Sequence, residues 1–116
     1  QVHEGKVYVT EGPIDSMFLP NSIAVGNSDL TSINTVLPKE NVVLVFDNQP
    51  RNPQLIDQMF QAGEMGFGVV VWPRLMTYKD INEMVLNGVE GIQRIIDNNT
   101  FSGLELIFKI SDWRKV

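Results

Sequence analysis

Two acidic residues follow directly after apolar stretches of the chain, which is the placement expected of groups that do chemistry at a sheet edge. Glu11 comes after Lys6–Thr10, and Asp47 comes after the continuously apolar run Val42–Phe46. Two carboxylates that lie close together repel each other unless they are protonated or bridged by a cation. Because hard oxygen ligands prefer hard cations, the pair predicts a site for Mg²⁺ or Mn²⁺.

Each acid also has a simpler interpretation when it is taken alone. Glu11 could merely begin a loop, and Asp47 could form an Asp-Asn turn. Asp15 could stabilise the N-terminus of a helix through the helix dipole. Asp80 could cap a helix, with Glu83 completing a pair similar to a capping box. Only the convergence of several such groups at one edge favours a chemical role.

Basic residues are predicted at the same edge. They are Arg51, Arg74 and Lys79, three of the nine Lys and Arg residues in the chain. A triphosphate site needs a metal that bridges phosphate oxygens and cationic side chains that take the remaining charge. Together with Glu11, Asp47 and Asp80, these residues predict a metal-dependent phosphoryl-transfer site in which the cations bind phosphate.

The elements that must position these residues follow from the hydrophobic pattern. Continuous β-branched runs indicate strands that are buried on both faces, as in a parallel sheet covered by helices. Short apolar runs predict strands at Lys6–Thr10, Ser22–Val25, Val42–Phe46 and Val69–Trp72, of which the last two are apolar throughout. Amphipathic patterns predict helices at Asp15–Leu19, Asp29–Leu37, Pro53–Met65, Asp80–Leu86, Val89–Asp97 and Ser102–Trp113.

The last of these helices is predicted from apolar residues that lie roughly along one side of it. They are Leu104, Ile107, Phe108 and Trp113. The alternation of strands and helices predicts an α/β fold: an open sheet of about four mainly parallel strands with helices on both faces. In such sheets ligands bind beyond the carboxyl ends of the strands, where the strand order reverses. If the first and third strands are neighbours, Glu11 and Asp47 face each other at that point.

Composition excludes several classes of function. A chain of 116 residues predicts one domain spanning residues 1–116, and the start at Gln1 suggests a fragment of a longer protein. The absence of cysteine excludes disulfides and thiolate sites, and a single histidine, His3, argues against a zinc site or a Ser-His-Asp triad. No apolar stretch approaches the ~20 residues that span a bilayer, so no membrane association is expected. With a net charge of −5, the domain needs a basic patch, a metal or a neighbouring domain to hold nucleic acid.

Three segments resemble the motifs of Toprim domains. Val9–Ser16 is similar to the first motif, a glutamate after the first strand followed by glycine. Val45–Gln49 stands where the family has Asp-x-Asp, and Lys79–Met84 resembles the Lys-Asp-x-Asn-Glu/Asp segment of Toprim primases. The likeness extends specifically to the primases of T-even-type bacteriophages. It covers nearly the whole chain and includes Phe46–Asn52, Trp72-Pro73, Lys79–Asn82 and Thr100–Leu104.

The resemblance implies a DNA-directed RNA polymerase of the primase type, a nucleotidyltransferase that makes RNA primers on single-stranded DNA. Glu11 would assist proton transfer or bind metal, Asp47 would bind Mg²⁺ or Mn²⁺, and Asp80 would support the site directly or through water. Ribonucleoside triphosphates are the implied substrates, with the template held by other domains and a replicative helicase as partner. The implied location is the cytoplasm of a host cell. A Toprim nuclease, a recombination-type protein and a non-enzymatic interaction module remain alternatives.

One residue departs from the family pattern. Gln49 stands where Asp-x-Asp has its second acid. A glutamine offers a carbonyl oxygen to Mg²⁺ but no negative charge, so we expect weaker metal binding or a larger contribution from Asp80 and substrate phosphates.

Overall fold

The computed structural model describes residues 6–10, 22–24 and 41–115, which form an α/β fold: a β-sheet flanked by helices. The strands, in chain order, are β1 (Val7–Thr10), β2 (Ser22–Ala24), β3 (Val42–Val45), β4 (Gly68–Val70) and β5 (Thr100–Phe101). They are arranged in the order β2-β1-β3-β4-β5. The first four strands pair in parallel and β5 pairs antiparallel with β4. The predicted open and mainly parallel sheet is therefore confirmed.

Helices occupy four of the predicted segments. They are α1 (Pro53–Glu64), α2 (Ile81–Leu86), α3 (Ile92–Asn98) and α4 (Gly103–Trp113). The side chain of Asn52 caps α1 by accepting hydrogen bonds from the main-chain N–H groups of Gln54 and Leu55. The predicted helices at residues 15–19 and 29–37 lie outside the described residues. Within the described part of the chain, no helix is long and apolar enough to span a membrane.

Both faces of the sheet are covered, as the continuous apolar runs predicted. Val42 and Leu44 of β3 pack in one core cluster with residues of α1 and α4. Val43 and Val45 of the same strand pack in a second cluster with residues of α2 and α3. All four are buried, which explains why β3 shows no alternation of apolar and polar residues.

The strand β5 was not predicted. The sequence pattern assigned Thr100 and Phe101 to the approach to the last helix, whereas the structure pairs Thr100 with Val70 and Phe101 with Val69. A strand of two residues is too short to show an alternating pattern, so only its partner identifies it. By this pairing β5 covers the edge of β4 that would otherwise lie open.

The buried face of α4 shares only Trp113 with the predicted stripe. The helix buries Leu106, Ile110 and Trp113, whereas Leu104, Phe108 and Ile107 are 67%, 65% and 43% exposed. Both sets recur at helical spacing, so periodicity alone did not distinguish them. Leu106 packs so closely on α1 that a Cβ built at Gly63 would lie 2.8 Å from Leu106 Cδ2. The contact with α1 therefore decides which stripe faces inward.

Tyr8 carries a polar group into the second core cluster. The side chain is fully buried, and its hydroxyl donates a hydrogen bond to Asp97 Oδ1 at 2.7 Å. Burial, followed by the hydrogen bond to Asp97, raises the pKa of Tyr8 to about 12. The folded state thus holds the phenolic proton more tightly than the unfolded chain does.

We expect Tyr8→Phe to change the alkaline stability of the fold. Because the pKa of Tyr8 is raised above its ordinary value, its contribution is present below pH 10 and is lost as pH rises towards about 12. The variant should lack this loss, and at neutral pH it should be less stable by about 0.5–1.5 kcal/mol because one hydrogen bond is absent. Urea unfolding between pH 8 and pH 11 measures both effects. Tyr78→Phe is the control and should follow the wild type; an identical alkaline slope in Tyr8→Phe would contradict the assignment.

Candidate functional site

The carboxyl ends of β1 and β3 lie side by side at the point where the strand order reverses. β1 pairs with both β2 and β3, and Thr10 is aligned with Val45. Glu11 directly follows Thr10 in the sequence, and Asp47 follows Val45 by two positions. The condition for the predicted pair, that the first and third strands are neighbours, is confirmed. Glu11 itself lies outside the described residues, so its position opposite Asp47 stays a prediction.

Asp47 and Gln49 begin the loop that leads from β3 to α1. Asp47 is half-buried, and its main-chain carbonyl accepts a hydrogen bond from the N–H of Gln49 at 3.0 Å. The side-chain Oε1 of Gln49 accepts from Asn52 Nδ2 at 2.9 Å. Since Asn52 also caps α1, the side-chain carbonyl of Gln49 is held in place by the first residues of that helix. Any bond from Gln49 to a metal would use the remaining lone pair of this oxygen.

Asn48 connects this loop to the segment before α2. Its main-chain N–H donates to the carbonyl of Lys79 at 2.5 Å. Its side-chain Nδ2 donates to the carbonyls of Met76 at 2.7 Å and Tyr78 at 3.0 Å. Because Asn48 directly follows Asp47, and Lys79 directly precedes Asp80, these bonds bring the chain segments of both acids to one edge of the sheet.

Asp80 caps α2, as its simpler interpretation predicted. Its Oδ1 accepts from the N–H of Glu83 at 2.8 Å, and Glu83 Oε1 accepts from the N–H of Lys79 at 2.6 Å. In the usual capping box the glutamate bonds the N–H of the cap residue, whereas here it bonds the residue before it. One carboxylate oxygen of Asp80 is thus used in the cap, and a metal role for this residue would rely chiefly on the other.

The three predicted cationic residues lie on the loops that follow β3 and β4. Arg51 and Lys79 are exposed, and Arg74 forms an ion pair with Asp112 at 3.2 Å. The side chains of that pair are 64% and 71% exposed. An ion pair so open to water contributes little to stability, so Arg74 can leave Asp112 at small cost. Phosphate binding by these residues stays a prediction.

A shallow groove of about 200 Å³ opens beside Asn48. Its walls include Pro50, Pro73, Arg74, Met76 and Trp113. A second hollow of about 130 Å³ shares Pro73, Arg74 and Trp113 with it and continues towards β5 and Lys109. Pro73 and Trp113 line both hollows, and Arg74, Lys109 and Asp112 bring charges of both signs to this part of the edge.

Sequence reasoning missed three residues that organise this edge: Asn48, Trp72 and Trp113. Trp72 Nε1 donates to the carbonyl of Phe46 at 2.9 Å, and Trp113 Nε1 donates to Asn48 Oδ1 at 3.0 Å. A buried indole N–H normally needs an acceptor. The chain has two tryptophans, and both meet this need at the carboxyl end of β3. That requirement is the signal that could have pointed to them.

The chemistry of the donors suits a hard cation. Asp47 supplies a half-buried carboxylate, and Gln49 and Asp80 supply further oxygen atoms on the adjoining segments. Among residues 6–10, 22–24 and 41–115, no three acidic or histidine side chains gather closely enough to hold a metal by themselves. A complete ligand set at Asp47 would therefore need Glu11, water or substrate oxygens.

Sequence comparison identifies a known protein that is similar to this chain. No protein-family model matches the sequence. The sequence is similar over its whole length to a DNA primase of Enterobacteria phage T4, with 35% identity over 120 aligned residues. The chain spans 35% of the length of that primase. The sequence is thus related to about one third of a phage DNA primase.

Proposed function

We propose that this chain is the Toprim catalytic domain of a phage DNA primase, which joins ribonucleotides into RNA primers on single-stranded DNA. The observation that carries the proposal is the parallel pairing of β1 with β3, which aligns the residue before Glu11 with the end of the strand that leads to Asp47. The similarity to the phage primase over the whole chain supports the same conclusion from the sequence.

In this proposal Glu11 and Asp47 hold a divalent cation, with Gln49 and Asp80 contributing oxygen atoms directly or through water. When bound, Mg²⁺ or Mn²⁺ neutralises charge on the phosphates of the ribonucleoside triphosphate. As an alternative to binding the cation, Glu11 would accept the proton of the 3′-hydroxyl group that attacks the α-phosphorus of the triphosphate, with pyrophosphate as the leaving group. Arg51, Arg74 and Lys79 bind phosphate oxygens, and the exposed pair with Asp112 leaves Arg74 able to do so.

The net charge of −5 is consistent with a division of labour between domains. A domain that repels the phosphate backbone as a whole cannot hold a template by bulk attraction. The related primase is about three times as long as this chain. We therefore assign template binding and any contact with a replicative helicase to other parts of such a protein.

Primer synthesis by the intact protein tests the proposal. Single-stranded DNA and labelled ribonucleoside triphosphates should yield short RNA products in the presence of Mg²⁺. Chelation should stop synthesis, and added Mg²⁺ or Mn²⁺ should restore it. Cleavage of the DNA without synthesis would indicate a Toprim nuclease and not a primase. The absence of both reactions would indicate a non-enzymatic interaction module.

We expect Gln49→Asp to tighten the binding of Mn²⁺ and Mg²⁺. The aspartate restores a second negative charge at the edge, and one added charge a few ångströms away strengthens cation binding by roughly tenfold or more. Calorimetric titration of the chain with Mn²⁺ measures the change. Gln61→Asp, which adds the same charge on the exposed side of α1, is the control. Unchanged affinity in Gln49→Asp would show that this side chain points away from the metal.

A further inference from the structure

The side chain of Asn48 has a hydrogen-bond partner for both of its polar atoms. Nδ2 donates to the carbonyls of Met76 and Tyr78, and Oδ1 accepts from Trp113 Nε1. The three distances lie between 2.7 and 3.0 Å. Asn48 is only half-buried, yet it joins the end of β3, the segment before α2 and the last residue of α4.

The hydrogen-bond partners of Asn48 determine the orientation of its side-chain amide. An indole N–H can only donate, and a main-chain carbonyl can only accept. The oxygen must therefore face Trp113, and the nitrogen must face Met76 and Tyr78. An aspartate of the same shape would set a carboxylate oxygen against two carbonyl oxygens, and an apolar side chain would leave all three partners without their bonds.

The segment that Asn48 holds leads directly into the proposed site. It contains no regular secondary structure from residue 73 to residue 79, and Leu75 at its tip is 93% exposed. Lys79 and Asp80 follow at its end, where Asp80 starts α2. Three hydrogen bonds from Asn48, one from its main chain and two from its side chain, fasten this segment beside Asp47.

We propose that Asn48 is a positioning residue for the reaction: it holds Lys79 and Asp80 at a fixed place relative to Asp47, and Trp113 orients its amide. This inference rests on the proposed function. Asn48 is not itself a metal ligand or a group that touches the reacting atoms. Its contribution is to keep an otherwise irregular segment in the arrangement that nucleotide and metal binding require.

The test compares Asn48→Ala with wild type in the intact protein. We expect primer synthesis to fall about tenfold, the lower end of the loss expected when a residue that orients metal-binding groups is removed. The Mg²⁺ concentration that gives half-maximal rate should rise, because the segment that carries Lys79 and Asp80 is then held beside Asp47 only by the main-chain bond from residue 48. Trp113→Phe removes the indole donor together with part of a buried ring, keeps the side chain of Asn48, and should change both quantities in the same direction by less. Asn87→Ala is the control. The Asn87 amide donates to the carbonyl of Glu83 at 2.8 Å, at the end of α2 opposite to Asp80, so its loss should leave the rate and the Mg²⁺ dependence unchanged.

A second measurement does not depend on activity. Amide hydrogen exchange in residues 76–80 of the 116-residue chain should be faster in Asn48→Ala than in wild type, while exchange in α1 stays the same. A variant that melts at a lower temperature but keeps the wild-type rate, Mg²⁺ dependence and exchange would overturn the inference. If wild type makes no primers but the exchange result holds, the proposed function fails and the fastening of the segment by Asn48 stands.

Discussion

Asp47→Asn should lower primer synthesis by the intact protein by about 100-fold or more and leave the fold intact. The substitution keeps the shape of the side chain and removes the charge that would hold the cation at the end of β3. Loss of a group that stabilises charge in a transition state costs about 10²–10³ in rate. Initial rates at saturating Mg²⁺ measure the loss, and a thermal melt similar to that of wild type shows that the structure is retained.

A control and a companion variant make this prediction specific. Asp57→Asn makes the same chemical change on the exposed side of α1 and should keep full activity. Glu11→Gln should abolish synthesis as Asp47→Asn does, because the two residues are proposed to act on one metal. Activity within twofold of wild type in either site variant would remove that residue from the proposed site.

Leu106→Ala should destabilise the fold by about 2–5 kcal/mol, as is usual when a fully buried leucine is truncated. Leu106 has no exposed surface, and its Cδ2 packs against the backbone of α1 at Gly63. Removing its side chain would leave a cavity between α1 and α4 that neither helix can fill without moving. Urea unfolding of the 116-residue chain at neutral pH measures the change in the free energy of unfolding.

Leu104→Ala is the matched control for the same helix. Its side chain is 67% exposed, so its truncation should change stability by no more than about 0.5 kcal/mol. The pair of variants also distinguishes the two apolar stripes of α4 by experiment. A larger loss from Leu104→Ala would show that the stripe of Leu104 and Phe108 is the buried one, and equal losses would contradict the selective burial of Leu106.

Much of the sheet could be predicted from the sequence, because its central strands are buried on both faces. Val42–Val45 is continuously apolar and β-branched at three of four positions, which is typical of a parallel strand covered by helices. The start of α1 could also be predicted, since Pro53 suits a first helical position and Asn52 is a strong cap. These features are local, so each can be predicted from the residues that form it.

The errors concern features that depend on a distant partner. Thr100 and Phe101 form a strand only because Val70 and Val69 are available beside them. α4 carries two apolar stripes, and contact with Gly63 of α1 selects the one that contains Leu106. No periodicity within either segment contains that information.

The same distinction applies to the candidate site. An acid directly after a buried strand marks Asp47 in the sequence, and Asp80 is recognisable as a helix cap. The hydrogen bonds from Asn48 to Met76 and Tyr78 join residues that lie about 30 positions apart in the sequence, so no local pattern near Asn48 predicts them. Local patterns therefore predict the charged groups of the edge, whereas the fold decides what holds them in place.

The pairing of β1 with β3 also has a consequence for how the chain folds. Val7 is aligned with Val42, so this contact closes a loop of roughly 35 residues, and such long-range closures slow folding. A partly folded chain in which β3, β4 and α1 have associated without β1 would have Asp47 but no neighbouring strand to carry Glu11. Metal and nucleotide would then bind the complete sheet far better than any such intermediate, and by mass action they would stabilise it. If Mg²⁺ and ribonucleoside triphosphates bind at this edge, as proposed, the resistance of the chain to unfolding should increase in their presence.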